Sequence, residues 1–402
     1  MCFLFLFSGC SEAKRYPADD TFHFETDAQN CLFPSAGQRL ITESENGYYF
    51  TLTPNFRYIF YADKETMEAV PLCGKPNCLH FKETDEDRRR LCNAYITGTV
   101  EPTSIFYNNG RLFVPEIGAG AKEFIITEVA LDGSSKKEIF SLKDEYTDGG
   151  NILFHRGYFY AAVNTYDENQ NSVLRVWRYS LDHPNQKREL LYEIRAEGGS
   201  IMDPKIHGNY LYFHTNIGGE QKFQVLHLTS KKQWEISVPE EAISNADNLV
   251  VFQNRLLFKM FEIIPTAKTF YEQPAAFYTA DLDGENVQKW RDTIGTEFTA
   301  DDRYIYEWTS SPYIYQKSVA VENPFFRIYD AEGNTLIGFN PKEEGIPSFY
   351  RVYIAPGEHV FFYDRTRIYY FAKSEIASGK VTPKLLIDVS GYGQSFFPAP
   401  AV

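Results

Sequence analysis

Within residues 71–95, PLCGKPNCLHFKETDEDRRRLCNAY, three cysteines and a histidine fall close together: Cys73, Cys78, His80 and Cys92. Three thiolates and one imidazole can form a structural zinc site, because soft sulfur and neutral nitrogen ligands suit Zn²⁺ and four of them close its tetrahedron. The spacing, C-x4-C-x-H-x11-C, is not that of a standard finger. A second reading sets Cys2 and Cys10 aside and counts Cys31 with the other three cysteines, an even four with three disulfide pairings. Closing the loop from Cys78 to Cys92 in this way would stabilise the fold by about 3 kcal/mol in the chain-entropy picture. Free thiols are the third reading, and none of the three is catalytic. The run ETDEDRRR, Glu83 to Arg90, sets acids before bases as the dipole of a short helix favours, and reads as a solvated face of the same insertion.

Other residues that could do chemistry have structural explanations. Asp281, Asp283 and Asn286 in ADLDGENV resemble a calcium loop, but the glycine position and the missing distal glutamate make the segment a hairpin turn. Trp177, Trp234, Trp290 and Trp308 could stack on sugars, yet in a repeated β architecture such rings are first of all packing. The sequence contains no HExxH, no sialidase Asp-box, no GxSxG elbow and no GxGxxG or Walker loop. These absences favour a non-catalytic module over an enzyme.

The elements that must position these residues follow from a repeat. A turn followed by an aromatic, alternating strand recurs as NGYYFTLT, NGRLFVPE, RGYFYAAV, GNYLYFHT, QNRLLFKM, DDRYIYEW and PGEHVFFY, with anchors at 47, 110, 157, 208, 254, 302 and 357. The period is about 50 residues, with one long interval where the Cys/His insertion sits. Asp-Gly and Glu-Gly pairs, as in 123–142, 275–293 and 325–339, supply the positive φ angles of tight hairpins. A short apolar stretch before each anchor brings the count to four strands per unit. The expected fold is all-β: a β-propeller of four-stranded antiparallel blades, seven in number, with six and eight as alternatives.

Composition agrees. Of 402 residues, 33 are Phe, 28 Tyr and 4 Trp, and aromatic rings favour the half-buried surfaces of strands. A net charge of −14 repels phosphate backbones, so nucleic acid is excluded as a partner.

Three resemblances add expectations. Residues 1–10, MCFLFLFSGC, resemble the tail of a bacterial lipoprotein signal peptide, with Ser8 and Gly9 before a Cys10 that such a lipobox would acylate; Phe7 stands where Leu is usual. The short apolar part without a basic flank implies an upstream start, with Met1 internal. LDGSSKKEIF and ADLDGENVQKW resemble the turns of TolB-like and YVTN-like propellers. The Cys-rich segment is similar to inserts in exported propeller lipoproteins of Gram-positive bacteria. Together they imply a signal segment at 1–10, a stalk at 11–36, a propeller at 37–391 with its insertion at about 73–100, and a tail at 392–402. The segment at 21–33 is expected either to add a strand or to cover an edge. The implied protein is extracytoplasmic, held to the bacterial cell membrane by a lipid at Cys10. Its expected partner is a cell-envelope protein or glycan; no cofactor follows from the resemblances, and the Cys/His residues themselves leave a structural zinc or disulfides open. The alternative is a glycan-active hydrolase or lyase with carboxylates around the channel.

Overall fold

The computed structural model describes residues 16–30, 39–52, 56–97, 104–117, 123–143, 151–183, 186–238, 245–265, 270–293, 295, 297–309, 325–347, 349, 351–364 and 366–392. They form seven four-stranded antiparallel sheets, each with its strands in chain order. Blade 1 consists of β1 (Ile41–Glu43), β2 (Gly47–Leu52), β3 (Phe56–Asp63) and β4 (Ala69–Pro71). Blades 2 to 7 occupy 106–143, 152–196, 200–235, 245–292, 297–339 and 351–388.

Burial gives the radial order. First strands such as β1 and Ile152–His155 are buried throughout, whereas last strands such as Gln233–Glu235 and Gln288–Asp292 are largely exposed. The first strands of blades 1 to 6 lie side by side in succession. Every anchor of the sequence repeat falls at the start of a second strand or in the hairpin before it. Asn109-Gly110, Arg156-Gly157 and Gln253-Asn254 all have positive φ, the two-residue hairpin whose twist matches that of the flanking strands.

Aromatic side chains join neighbouring blades. Phe113 stacks on Phe154 at 4.3 Å between blades 2 and 3, and Tyr192 meets Phe213 at 4.9 Å between blades 3 and 4. Phe223–Phe258, Phe277–Phe298 and Phe326–Phe362 continue the series at 5.4, 4.8 and 5.1 Å. Such pairs add about 0.5–1.5 kcal/mol each beyond area burial. Trp308 is fully buried in the same packing.

Among the described residues, no strand is exchanged to close the ring. Blade 1 meets blade 7 through side chains: Tyr48 packs on Phe361 at 4.9 Å and its hydroxyl lies 2.8 Å from His359 Nδ1, while the Gly357 amide donates to Glu43 Oε2 at 2.8 Å. Residues 21–30 add no strand and lie over the hairpins at one end of the channel. The ADLDG segment is a hairpin turn, with Asn286 Nδ2 donating to Asp281 at 2.6 Å. No helix among the described residues is long and apolar enough to cross a membrane.

Candidate metal centre and channel mouth

The Cys/His insertion interrupts the outermost strand of blade 1. β4 pairs with β3 as far as Phe60↔Pro71, and the Leu72 amide donates to Ile59 O at 2.9 Å. The chain then leaves the sheet and returns at Tyr95, which bridges Tyr58, with the Ile96 amide donating to Arg57 O at 2.9 Å. Cys73 and Cys92 therefore stand at the two sides of the neck of the excursion. Within it, α1 (Glu86–Arg90) starts on Asp85, whose side chain accepts from the Arg88 amide. This short helix lies where the acid-then-base run is, and all its residues are at least partly exposed. Phe81 fixes the excursion to the blade, packing on Phe56 at 5.5 Å and on Tyr392 at 4.8 Å. The blade 2 hairpin braces it from the other side: Gly133 O accepts from the Gly74 amide at 3.1 Å and from Asn93 Nδ2 at 2.8 Å.

The four ligand atoms of Cys73, Cys78, His80 and Cys92 lie within 4.8 Å of one another, with Cys92 Sγ 3.6 Å from His80 Nδ1. Zinc bonds of about 2.3 Å to sulfur and 2.0–2.1 Å to nitrogen separate the corners of a tetrahedron by roughly 3.5–3.8 Å, so the donor set fits. The thiols are also prepared unequally. Burial works against ionisation of Cys73, but the amides of Lys75 and Asn93 and the neighbouring thiols outweigh it and lower its pKa. Burial pushes the Cys92 thiol up. No disulfide joins Cys73, Cys78 and Cys92 in this structure, and their sulfurs gather with the His80 imidazole in one cluster. Cys31, the remaining member of the disulfide reading, and Cys10 lie outside the described residues.

A second feature was not legible in the sequence. Residues 16–30, counted there as stalk, run across the mouth of the channel on the hairpins between first and second strands. Arg156 is their main fastening. Its guanidinium grips Asp27 bidentately at 2.8 and 2.9 Å and donates to the carbonyls of Pro17, Asp19 and Thr21 at 3.0, 2.7 and 2.9 Å. The Gln29 amide serves as a surrogate strand partner for β1, donating to Glu43 O at 2.6 Å and accepting from the Glu43 amide at 2.9 Å. Asn108 donates to Thr26 O and Asn209 to Ala18 O, both at 2.8 Å. Contact is close enough that a Cβ on Gly157 would sit 2.3 Å from the Tyr16 ring. His155, fully buried, accepts from the Ala28 amide through Nδ1 at 3.3 Å and reaches Gly208 O through Nε2 at 2.9 Å. Burial lowers its pKa to about 4, so the ring is neutral.

Beside this segment the mouth stays open as a cavity of about 610 Å³. Phe22, Phe24, Ala28 and Asn30 form one wall, and hairpins of blades 1, 4, 5, 6 and 7 form the rest. Its two buried carboxylates are engaged. Glu43 is ion-paired with Lys64 and accepts from the Gly357 amide. Asp301 is ion-paired with Lys373 and accepts from Tyr306 Oη at 2.8 Å.

No protein-family model matches the chain, and no curated protein sequence does. Solved structures do. A prolyl endopeptidase is similar with a TM-score of 0.55 and 10% identity, over 91% of this chain and 51% of that one. An oligogalacturonate lyase from Vibrio parahaemolyticus is similar with a TM-score of 0.51 and 8% identity, over 92% and 93% of the two chains. TolB from Acinetobacter baumannii aligns over 77% of this chain with a TM-score of 0.39 and 9% identity. The first two place the chain among β-propellers. Identities this low concern the fold alone.

Proposed function

We propose that the chain is a lipid-anchored, extracytoplasmic β-propeller that binds a cell-envelope protein or glycan at the channel mouth, and that Cys73, Cys78, His80 and Cys92 hold a structural zinc. The observation behind the binding role is the 610 Å³ cavity built by five blades and the N-terminal segment, within the range of about 300–1,000 Å³ typical of ligand pockets. Glu43 is held by Lys64 and Asp301 by Lys373, which takes these two buried carboxylates out of consideration for general acid or base work.

Zinc at the cluster would neutralise thiolate charge and cross-link the neck of the excursion. Four protein ligands leave no open position for a substrate, which makes the role structural. Cys73 and Cys92 would hold the two sides of the neck, with Cys78 and His80 reaching in from the turn between them. Acylation at Cys10 would tether the protein a short distance ahead of Tyr16. Six residue steps reach at most about 20 Å, so the face crossed by residues 16–30 would look toward the membrane.

The test is expression of the full chain and of Cys10→Ala in a Gram-positive host, both preceded by a basic, apolar leader that completes the signal peptide ahead of Cys10, followed by fractionation and by pull-down from envelope extracts. The full chain is expected in the membrane fraction and Cys10→Ala outside it, both retaining envelope material. Identical partitioning would overturn the anchor, and retention of nothing would overturn the binding role.

A further inference from the structure

Residues 16–30 lie on the ring as a bound peptide lies on a receptor. Within the segment Asp27, Ala28 and Gln29 are buried, and the other residues keep contact with water. The ring holds it largely by the main chain. The side chains of Arg156, Asn108 and Asn209 donate to the carbonyls of Pro17, Ala18, Asp19, Thr21 and Thr26. The Asn109 and Arg156 amides donate to Glu25 O and Thr26 O, both at 2.6 Å. Bonds to carbonyls are indifferent to the side chain, so they supply affinity without fixing the sequence.

Side chains are read at a few positions, and three of these carry the same charge. Asp27 fills the buried fork of Arg156, presented to it by a turn in which the Thr26 and Asp27 amides donate to His23 O. Asp20 Oδ1 accepts from the Asn209 amide at 2.9 Å and from Asn209 Nδ2 at 3.0 Å, and Glu25 Oε2 accepts from Tyr107 Oη at 2.7 Å. The intervening Thr21 and His23 side chains bond to each other and to Asp19, inside the segment, and Phe22 and Phe24 face the cavity. The surface therefore fits an acidic peptide with one carboxylate presented on a turn.

Resting on the binding role proposed above, we infer that residues 16–30 are an autoinhibitory strap, occupying in cis a site that takes an acidic segment of a partner protein. Polar bonds hold the strap, and a competitor with the same pattern makes them equally well. Tethering gives the resident segment an effective concentration in the millimolar range, which a partner has to match by affinity or by local density. Displacement of the strap removes the wall formed by Phe22 and Phe24 and opens the cavity into the vacated groove. A glycan offers no run of carbonyls in register with Asn108, Asn109 and Arg156, so these contacts favour a protein as the partner.

The test is fluorescence anisotropy with a labelled synthetic peptide of residues 16–30 and the detergent-solubilised full chain. Asp27→Ala alters the strap and leaves the donors of the ring in place. That variant is expected to bind the peptide at least about a hundredfold more tightly than the unaltered chain, whose site is taken. Adding Arg156→Ala to it should abolish binding, as should Asp27→Ala in the peptide, whereas Phe22→Ala in the peptide should change affinity less than about threefold. Trigalacturonate should not compete. A second readout needs no variant: in the isotope-labelled unaltered chain, millimolar peptide should speed hydrogen exchange of the resident 16–30 amides. Equal binding by Asp27→Ala and the unaltered chain, equal binding of a scrambled peptide, competition by trigalacturonate, or unchanged exchange would each overturn the inference. Envelope material still retained in the pull-down after such a result would leave the binding role standing.

Discussion

Replacing Arg156 by Ala should release the N-terminal segment from the ring without unfolding the blades. The guanidinium is 6% exposed and supplies the permanent positive charge facing Asp27, which is 2% exposed; His155 beside them is neutral because burial holds its pKa near 4. Truncation would remove a bidentate ion pair and three bonds to the carbonyls of Pro17, Asp19 and Thr21, and would leave a carboxylate buried without compensation. Breaking a buried pair from one side costs about 3–5 kcal/mol. These bonds all join residues 16–30 to blade 3, so the cost falls on docking of that segment, and the docked-to-released ratio should drop by roughly two to four orders of magnitude. Hydrogen exchange followed by mass spectrometry is the assay. Amides in 16–30 and on the underlying hairpin at 156–157 should exchange at least about a hundredfold faster, while the second strands of the blades stay protected. The double change Arg156→Ala with Asp27→Asn should recover much of the protection, because it also removes the stranded charge. Unchanged exchange in 16–30, or a double variant no better than the single one, would refute the reasoning.

Three further outcomes follow from the same geometry. Cys92→Ser should lose the metal and open the excursion at 73–93, so that trypsin cleaves at Arg88 to Arg90 much faster while blades 2 to 7 resist. Gly133→Ala should destabilise by more than about 1 kcal/mol and weaken metal retention, because its φ of 69° is left-handed and a Cβ there would sit 2.6 Å from the Cys73 amide nitrogen. Acid should weaken the fold through His155 and His359, whose pKa values are lowered to about 4 chiefly by burial. Below the unfolded value of 6.5 the unfolded chain takes up protons that the folded one refuses. Stability is therefore fully present above pH 6.5 and falls as pH drops toward 4, by up to about 3 kcal/mol for each ring. Urea unfolding across that range reads it, and a flat profile would contradict it.

The blades were readable because their signal is local and repeated. Aromatic second strands follow hairpins that need positive φ, and Gly110, Gly157 and Gly208 mark three of them at nearly equal intervals. The Cys/His set was readable as chemistry but not as an arrangement: residue types allow pairs or a single centre, and only the return of the chain at Tyr95 beside Tyr58 brings Cys92 back to Cys73. The channel mouth was the least legible part. Asp27 and Arg156 are 129 positions apart, and Asn209 reaches Ala18 across 191. Polar residues with no period and distant partners look like a linker when read along the chain. The cavity acids were hidden for a similar reason, since Glu45 and Asp302 occupy turns where an acidic residue is ordinary.

Native mass spectrometry of the full chain purified without chelator tests most directly the proposal that Cys73, Cys78, His80 and Cys92 form a structural metal clip in blade 1. The proposal predicts one zinc per chain, with the thiols of Cys73, Cys78 and Cys92 resisting alkylation until the metal is removed. A metal-free chain lighter by two hydrogens for a disulfide among these cysteines would contradict it.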